Sequence, residues 1–323
     1  MVEHVLGKDG VVGSSPTDGS IQMEEYTMKV HWLLERDMFD ESYRSCFDVP
    51  NNKRMKHEIE RQGMDWKEVV YEPLSYDEIG FEGAFDPVDD CVIGWGSLSM
   101  MMKVRQQRRW SVWCDPDSFK CSTYYAYLGH LLLNTPYIMV PVSGLRWMKS
   151  WIFETLGEDG CVFIRPDTGM KSFTGQIVTE ENWDRDMELV TWYDKSPEQL
   201  VLVSAPRVIS EEWRVVVSLE RGPITGSRYK KDGELDVSVE WRIPEVIGIA
   251  LEVATVCKQF MQDPMFVVDV AATQARFNLT SRKFHLLEIN SFSCSGLYAC
   301  EMEPIIAEAA RLAKQEFETY HGA

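Results

Sequence analysis

The feature that most constrains this chain is a charged residue in the middle of an apolar strand. Residues 265–271 read Met-Phe-Val-Val-Asp-Val-Ala, and residues 283–290 read Lys-Phe-His-Leu-Leu-Glu-Ile-Asn. Both runs contain the β-branched, aromatic and aliphatic residues that favour strands. Burying the carboxylate of Asp269 in such a strand is costly unless it is paired or bound to a metal. The chain is therefore expected to fold around a polar site at this position.

The second of these strands carries two further oxygen ligands. Side chains alternate across a strand, so Glu288 and Asn290 point to the same face. If the two strands pair, Asp269 converges with them into a hard, oxygen-only site of the kind that Mg²⁺ prefers. The alternative is that each residue caps a turn or is solvated at a strand end. Carboxylates crowded in this way also predict that removing one would leave folding nearly unchanged.

A glycine-containing loop supplies positive charge. Residues 163–175 read FIRPDTGMKSFTG, in which Arg165 ends a strand and Lys171 lies between Gly169 and Gly175. Glycines let the backbone N–H groups of a loop approach phosphates, and the two cations would neutralise phosphate charge. Taken alone, this pattern is more typical of an ordinary surface hairpin.

A third polar stretch, residues 211–218, reads EEWRVVVS. Glu212 and Arg214 share one strand face, where the acid could accept ribose hydroxyls and the arginine could reach phosphate or substrate. The alternative is a cross-strand salt bridge. Residues 227–231, Ser-Arg-Tyr-Lys-Lys, add further positive charge that includes Lys230.

These three stretches, in this order, resemble those of ATP-grasp enzymes, in particular the clade named for its one arginine and two lysines. The resemblance extends from about Tyr137 to Gln315 and is strongest at FIRPDTGMKSFTG, EEWRVVVS and LLEINSFSCSGLY. It implies an α+β fold in which two α+β subdomains hold ATP between them, preceded by a small α/β domain. The expected division is a leader at 1–27, the small domain at 28–136, and an ATP-grasp domain at 137–323 with subdomains at about 137–203 and 204–323.

The resemblance also implies roles for individual residues. The expected phosphate-binding cations are Arg165, Lys171 and a second lysine, for which Lys230 is preferred and Lys149 is the alternative. The resemblance also implies adenine binding by the backbone near Val203 on the strand 200–203, ribose binding by Glu212, and Mg²⁺ binding by Asp269, Glu288 and Asn290. It implies that N–H groups of Ser295 and Gly296 stabilise the reaction intermediate. The residues predicted to be catalytic are Arg165, Lys171 and Arg214. One departure is that hinge positions often carrying an acidic residue here read Ser204-Ala205-Pro206.

The activity implied by the resemblance is Mg-ATP-dependent ligation. A small-molecule or peptide carboxylate would attack ATP to give an acyl phosphate, and an amine would then displace phosphate. Alternatives are a kinase, a ligase acting on nucleic acids or nucleotides, or a silent ATP-binding module on the same fold. Cys294 is disfavoured as a nucleophile because no histidine is placed to activate it.

Charge and composition narrow the setting. The net charge of −18 repels polyanions, which argues against a nucleic-acid partner. A basic cluster of Lys103, Arg105, Arg108 and Arg109 favours a solvated face over a phosphate-binding or nucleic-acid-binding groove. No apolar run approaches the roughly 20 residues of a membrane span, and the eight cysteines show no metal-site spacing. The expected location is the cytoplasm.

The N-terminal part divides into two kinds of sequence. Residues 1–27 lack apolar periodicity and predict a disordered leader, so that Met23 or Met28 would be the native start. From residue 28 to about 133, strand and helix patterns alternate, including an aromatic helix-like run at 124–133 and a polar helical stretch at 40–63. Such alternation predicts a small α/β domain.

Overall fold

The computed structural model describes residues 28–36, 51–71, 90–107, 111–169, 174–193, 196–275 and 278–321. The predicted leader, Lys171, Arg108, Arg109 and the first part of the helix predicted at 40–63 lie outside these residues. Within them the chain forms β1 (Val30–Glu35), α1 (Asn51–Arg61), β2 (Asp65–Val69), β3 (Cys91–Trp95), α2 (Leu98–Gln107), α3 (Cys121–Leu128), β4 (Tyr137–Pro141), α4 (Val142–Leu156), β5 (Cys161–Pro166), β6 (Gln176–Thr179), α5 (Trp183–Tyr193), β7 (Leu200–Ser204), β8 (Ile209–Ser218), β9 (Gly222–Lys231), β10 (Glu234–Ser238), α6 (Pro244–Cys257), β11 (Met265–Ala275), β12 (Asn278–Ser291) and α7 (Met302–His321).

The N-terminal sheet is parallel, with the order β2-β1-β3. Its apolar side chains, including Trp32 and Trp95, share a core with Ile59 of α1 and with Ile306 of the C-terminal helix α7. A parallel sheet with a helical crossover agrees with the α/β character predicted for this region. Because α7 completes this core, the C-terminal helix is packed against the N-terminal sheet.

The small sheet is antiparallel, with the order β4-β7-β5-β6. The alternation of β5 is complete, because Val162 and Ile164 are buried while Phe163 and Arg165 are only partly so. The buried face packs against α4 and α5. Arg165 therefore points away from these helices, as strand geometry requires.

The large sheet is also antiparallel, with the order β10-β9-β8-β11-β12. On one face, Val215, Val268 and Val270 pack against α6 and α3. On the other face, Val216 and Val267 join the core formed with α7. The predicted strands at 265–271 and 283–290 are confirmed as neighbours in this sheet. Each face of β11 is thus covered, and Asp269 lies on the face that holds Val267.

The aromatic run predicted as one helix at 124–133 is divided. The helix α3 ends at Leu128, and residues 131–133 instead run beside β12. The N–H of Leu133 donates to the carbonyl of Leu286, and the N–H of Leu286 donates to the carbonyl of Leu131. Residues 131–133 therefore make backbone hydrogen bonds to β12 instead of bonds within a longer helix.

The α+β class predicted from the sequence is confirmed by this mixture of helices with antiparallel sheets. The boundary expected at residues 136 and 137 stays a prediction; α3, which precedes it, packs in the core of the large sheet. None of the described helices is both long and apolar enough to cross a membrane.

Candidate active site

Three predicted ligands meet on one face of the large sheet. Asp269 pairs with Glu288 across β11 and β12. The side-chain amide of Asn290 donates to Glu288 Oε1 at 2.8 Å and to Asp269 Oδ2 at 3.1 Å. The register shifts after this pair, because Val270 lies opposite Leu286 and leaves Leu287 as an extra residue in a bulge. The three polar side chains come together in the regular pairing before this bulge, and the bulge re-aims the strand beyond them.

Each carboxylate of this cluster is paired with an arginine. Asp269 accepts two bonds from Arg214, at 2.8 Å from Nε and 2.7 Å from Nη2. Glu288 Oε2 accepts a bond of 2.9 Å from Arg165 Nη2. Burial opposes the charge of Arg214, but Asp269 raises the pKa of the arginine well above its ordinary value. Two arginines therefore balance two carboxylates.

The donor set fits a hard cation. Carboxylate oxygens of Asp269 and Glu288 with the amide oxygen of Asn290 are the ligand types that Mg²⁺ takes. Glu288 is the more accessible carboxylate, with 20% of its side chain exposed against 1% for Asp269. In the described part of the chain, no group of three or more His, Cys, Asp or Glu residues could hold a metal. A cation here would depend on the amide as well as the two acids.

Two tyrosines that the sequence analysis missed surround Arg214. The guanidinium carbon lies 5.6 Å from the ring centre of Tyr229 and 5.1 Å from that of Tyr298. The two rings stack at 4.7 Å with 13° between their planes. Tyr298 has a φ of 46°, a left-handed conformation that a bulky residue rarely adopts. The only sequence signal for Tyr298 was that it follows Gly296 by two residues in the loop after β12.

The acid predicted to bind the ribose lies next to the lysine predicted to bind phosphate. Lys230 Nζ lies 3.5 Å from Glu212 Oε1, and the hydroxyl of Tyr229 donates to the other oxygen of Glu212. The alternative lysine, Lys149, lies on α4, which covers the opposite face of the small sheet from Arg165. Of the two candidates, Lys230 is therefore the one beside the predicted ribose-binding acid.

The start of the glycine loop is anchored to α3. Asp167 accepts from the N–H of Ser122 at 2.6 Å and from its hydroxyl at 2.7 Å, so it caps the first turn of this helix. A Cβ added to Gly169 would lie 2.8 Å from the Cβ of Phe119. A Cβ on Gly175 would lie 2.7 Å from the ring of Phe163. Gly169 therefore cannot be replaced without moving Phe119, whereas at Gly175 a side chain would have to displace the ring of Phe163.

A cleft separates the small and large sheets. Its volume is about 580 Å³, and it is lined by β5, β6, β11, β12 and residues 206–208 of the linker between the sheets. Val203, predicted to hold adenine through its backbone, is buried and pairs with strands on both sides. The backbone of the linker lies beyond this pairing and faces the cleft. Clefts of this size are typical of small-molecule sites.

His285, in the same cleft, was not singled out by sequence. Burial lowers its pKa, and the positive charges of Arg207 and Lys283 lower it further. A neutral imidazole at this position can accept or donate a hydrogen bond, and Thr273 Oγ1 lies 3.4 Å from its Nε2.

The family model that describes an ATP-grasp domain, family 2 of the clade named for one arginine and two lysines, matches residues 146–307, about half of the chain. The chain belongs to the ATP-grasp family. This confirms both the resemblance and the fold that it implied. The matched residues include the small sheet from β5 onward, the linker, and the whole Asp269, Glu288 and Asn290 cluster.

Solved structures of other ATP-grasp proteins show the same fold. D-alanyl-alanine synthetase A from Vibrio cholerae aligns with a TM-score of 0.53 at 13% identity, covering 90% of this chain and 99% of that one. D-cycloserine synthetase DcsG gives 0.52 at 12% identity over 89% and 99%. D-alanine–D-alanine ligase from Bacillus anthracis gives 0.51 at 11% identity over 90% and 99%. A comparison with curated protein sequences found no match.

The loop after β12 lies beside the polar cluster of this ATP-grasp chain. The N–H of Ser295 donates to the carbonyl of Phe292 at 3.2 Å, and the hydroxyl of Ser295 donates to the carbonyl of Ser291 at 2.6 Å. The carbonyl of Gly296 accepts from Arg214 Nη1 at 2.9 Å. The N–H of Ser295 is thus already used within the loop, which leaves that of Gly296 as the better candidate for contact with an intermediate.

Proposed function

We propose that this protein is a Mg-ATP-dependent ligase that joins a carboxylate to an amine through an acyl phosphate. The observation that carries the proposal is the chain of contacts from Arg165 of the small sheet through Glu288 and Asn290 to Asp269 of the large sheet. Positive and oxygen-rich groups of the two sheets meet in this chain of contacts. The ligase activities named for the structural relatives support the same class of reaction.

The cleft would hold the nucleotide between the two sheets. Adenine would lie against the linker backbone after Val203, and the ribose hydroxyls would bond to Glu212 beside Lys230. The phosphates would extend toward Arg165 and the glycine loop that contains Lys171. Glu212 is held by Tyr229, so this acid is positioned before ATP arrives.

Charge neutralisation is the main chemical task of the site. Glu288, Asn290 and Asp269 would hold Mg²⁺, which would offset the negative charge on the β- and γ-phosphates. Binding of nucleotide would exchange partners, because phosphate oxygens would take the guanidinium of Arg165 away from Glu288. Arg214 keeps Asp269 and the loop at Gly296 in place.

The reaction then proceeds in two displacements. An oxygen of the substrate carboxylate bonds to the γ-phosphorus while the bond to the β-phosphate oxygen breaks and ADP leaves. The amine nitrogen next bonds to the acyl carbon, losing a proton, and the acyl–oxygen bond breaks to release inorganic phosphate. The N–H of Gly296 would donate to the oxyanion formed in this second step.

Small molecules or peptide ends are the proposed substrates, since the net charge of −18 disfavours a polynucleotide. We propose the cytoplasm as the site of action. The described cysteines are all free thiols, as expected in a reducing compartment.

Product analysis tests this function. The purified protein would be incubated with Mg-ATP and pools of amino acids and peptides, and nucleotide, phosphate and product masses would be followed. Equal amounts of ADP, free phosphate and a condensed product support ligation. A phosphorylated product would make the protein a kinase, AMP would indicate adenylyl transfer, and ATP binding without turnover would indicate a silent module.

A further inference from the structure

A small cavity lies where three parts of the molecule meet. Leu98 of α2 and the segment 114–119 form one side, Gly169 of the glycine loop forms the second, and residues 290–295 form the third. We call this cavity the junction pocket. It is separate from the cleft between the sheets.

The junction pocket adjoins residues that are proposed to bind the metal and the phosphates. Asn290 lines the junction pocket and also bonds to Glu288 and Asp269. Gly169 follows Arg165 by four residues in the glycine loop. A molecule in this pocket would therefore lie beside the γ-phosphate of a nucleotide bound as proposed above.

The pocket is small and carries no charge on its described walls. Its volume is about 60 Å³, against roughly 30 Å³ for a water molecule in the liquid. The described lining residues are apolar or neutral: Leu98, Cys114, Pro116, Phe119, Gly169, Asn290, Ser291, Cys294 and Ser295. Burial, with the contact between Cys294 and Cys114, raises the pKa of Cys294 well above its ordinary value. That thiol is therefore neutral at physiological pH.

The walls are held in place by contacts outside the pocket. Arg105, which the sequence placed on a solvated face, instead bonds to Asp115 at 3.1 Å and to Asp263 at 3.2 Å. Ser293 Oγ accepts from the N–H of Trp113 at 2.9 Å, which ties the loop after β12 to the opposite wall. Fixed walls discriminate by size, because they do not expand to admit a larger group.

We infer that the junction pocket receives the side chain of the carboxylate substrate, and that this side chain is uncharged and has one or two non-hydrogen atoms. Amino acids of the size of alanine or serine, free or at the end of a peptide, have this chemistry. A charged side chain would lose its hydration without a partner on the described walls, and a side chain the size of leucine exceeds the volume. The inference rests on the proposed function, since it assumes that the γ-phosphate lies beside the pocket.

The melting temperature of the full chain provides a test that does not need turnover. Mg²⁺ with a non-hydrolysable ATP analogue would be combined with glycine, alanine, serine, leucine, phenylalanine, aspartate or lysine at matched saturating concentration. We expect alanine and serine to raise the melting temperature by about 2 °C or more, because a ligand that binds the folded state stabilises it. We expect leucine, phenylalanine, aspartate and lysine to raise it by less than half as much.

Two substitutions at one position change the pocket in opposite directions. Leu98→Ala enlarges it, so leucine should now raise the melting temperature as much as alanine does. Leu98→Phe narrows it, so the response to alanine and serine should disappear. Leu251→Ala is the matched control, because Leu251 is an exposed leucine on α6, outside the site. It should respond to the amino acids as the wild type does.

The outcomes separate the pocket from the ligase proposal. Equal responses to small and large amino acids, no response to any of them, or an unchanged size preference in both Leu98 variants would overturn the inference. A melting-temperature rise with the ATP analogue alone would still support the proposed function in those cases. A response to alanine without any response to nucleotide would show binding of small amino acids outside a ligase site, and would overturn both the inference and the proposed function.

Discussion

The two arginine–carboxylate pairs of the active site differ in how much freedom they have. Arg214 donates two hydrogen bonds to Asp269, and the two side chains are 9% and 1% exposed. Arg165 donates to Glu288 Oε2, and the two side chains are 15% and 20% exposed. The first pair joins neighbouring strands of one sheet, whereas the second connects two different sheets. A ligand that enters between the sheets can replace the second pair without disturbing the first.

This difference suggests a division of labour within one charge network. The closed pair, Arg214 with Asp269, sets the shape of the site, since Arg214 also binds Gly296 and contacts Tyr298. In the proposed function, the open pair, Arg165 with Glu288, would hold two ligand-binding groups in place until phosphate binds the first and metal the second. Substitutions and pH changes test whether the two pairs differ in this way.

The largest effect is expected from Asp269→Asn. The structure changes the expectation that crowded carboxylates oppose folding, because Asp269 neutralises a buried arginine. Its loss leaves Arg214 charged and without its partner, which should lower the free energy of unfolding by about 3–5 kcal/mol. Urea denaturation of the folded protein without nucleotide measures this quantity.

Replacing both partners is the control for that experiment. In the double variant Asp269→Leu with Arg214→Leu, no buried charge is left unpaired, so much of the lost stability should return. A single Asp269→Asn variant that loses less than about 1 kcal/mol would show that the closed pair is not the structural anchor.

Glu288→Gln should affect activity far more than stability. The change removes one charge from the open pair but keeps a polar group in place, so unfolding should change by about 1 kcal/mol or less. ATP turnover should fall by about 100-fold or more, a loss of about 2.7 kcal/mol in transition-state stabilisation, because charge on the transferred phosphoryl group is no longer offset. Glu234→Gln, at an exposed position on β10, is the matched control. Retained turnover in Glu288→Gln would remove the ATP-grasp chemistry proposed here.

Local sequence patterns were sufficient to predict much of this structure. The alternation of residues 161–166 and 283–290 was sufficient to predict the strands and the face on which Glu288 and Asn290 lie. The convergence with Asp269 followed from one assumption, that the two strands pair. The partners of the carboxylates did not follow, because Arg165 is distant from Glu288 along the chain and its direction depends on how two sheets pack. Tyr298 was missed because its left-handed backbone is imposed by the loop around it.

The third prediction separates the two candidate lysines. Lys230→Met removes an ammonium group that is close to Glu212 and 43% exposed, so the KM for ATP should rise about tenfold, or about 1.4 kcal/mol. Lys149→Met is the matched control, because α4 lies behind the small sheet. Equal effects of the two substitutions, or a larger effect of Lys149→Met, would assign the second lysine of the clade differently.

The smallest effect is expected at a third buried acid, Asp263. It accepts one hydrogen bond from an arginine, whereas Asp269 accepts two. Burial raises its pKa from 3.8 to about 7, because one bond from Arg105 and one from the N–H of Asp115 offset only part of the cost. A carboxyl whose pKa is raised by folding binds its proton more tightly in the native state. Its contribution to stability is therefore complete below about pH 4 and is lost as the pH rises through 7. The negative charge of Asp115 acts in the same direction, and the positive charge of Arg105 opposes it. In Asp263→Asn this contribution is absent. The free energy of unfolding of the wild type, relative to that of the variant, should therefore decrease by about 1 kcal/mol or more between pH 5 and pH 8. Other carboxylates are shared by the two proteins and cancel in the difference. If the free energies of unfolding of the two proteins changed in parallel with pH, Arg105 would offset the cost of burying Asp263 as fully as Arg214 offsets that of Asp269.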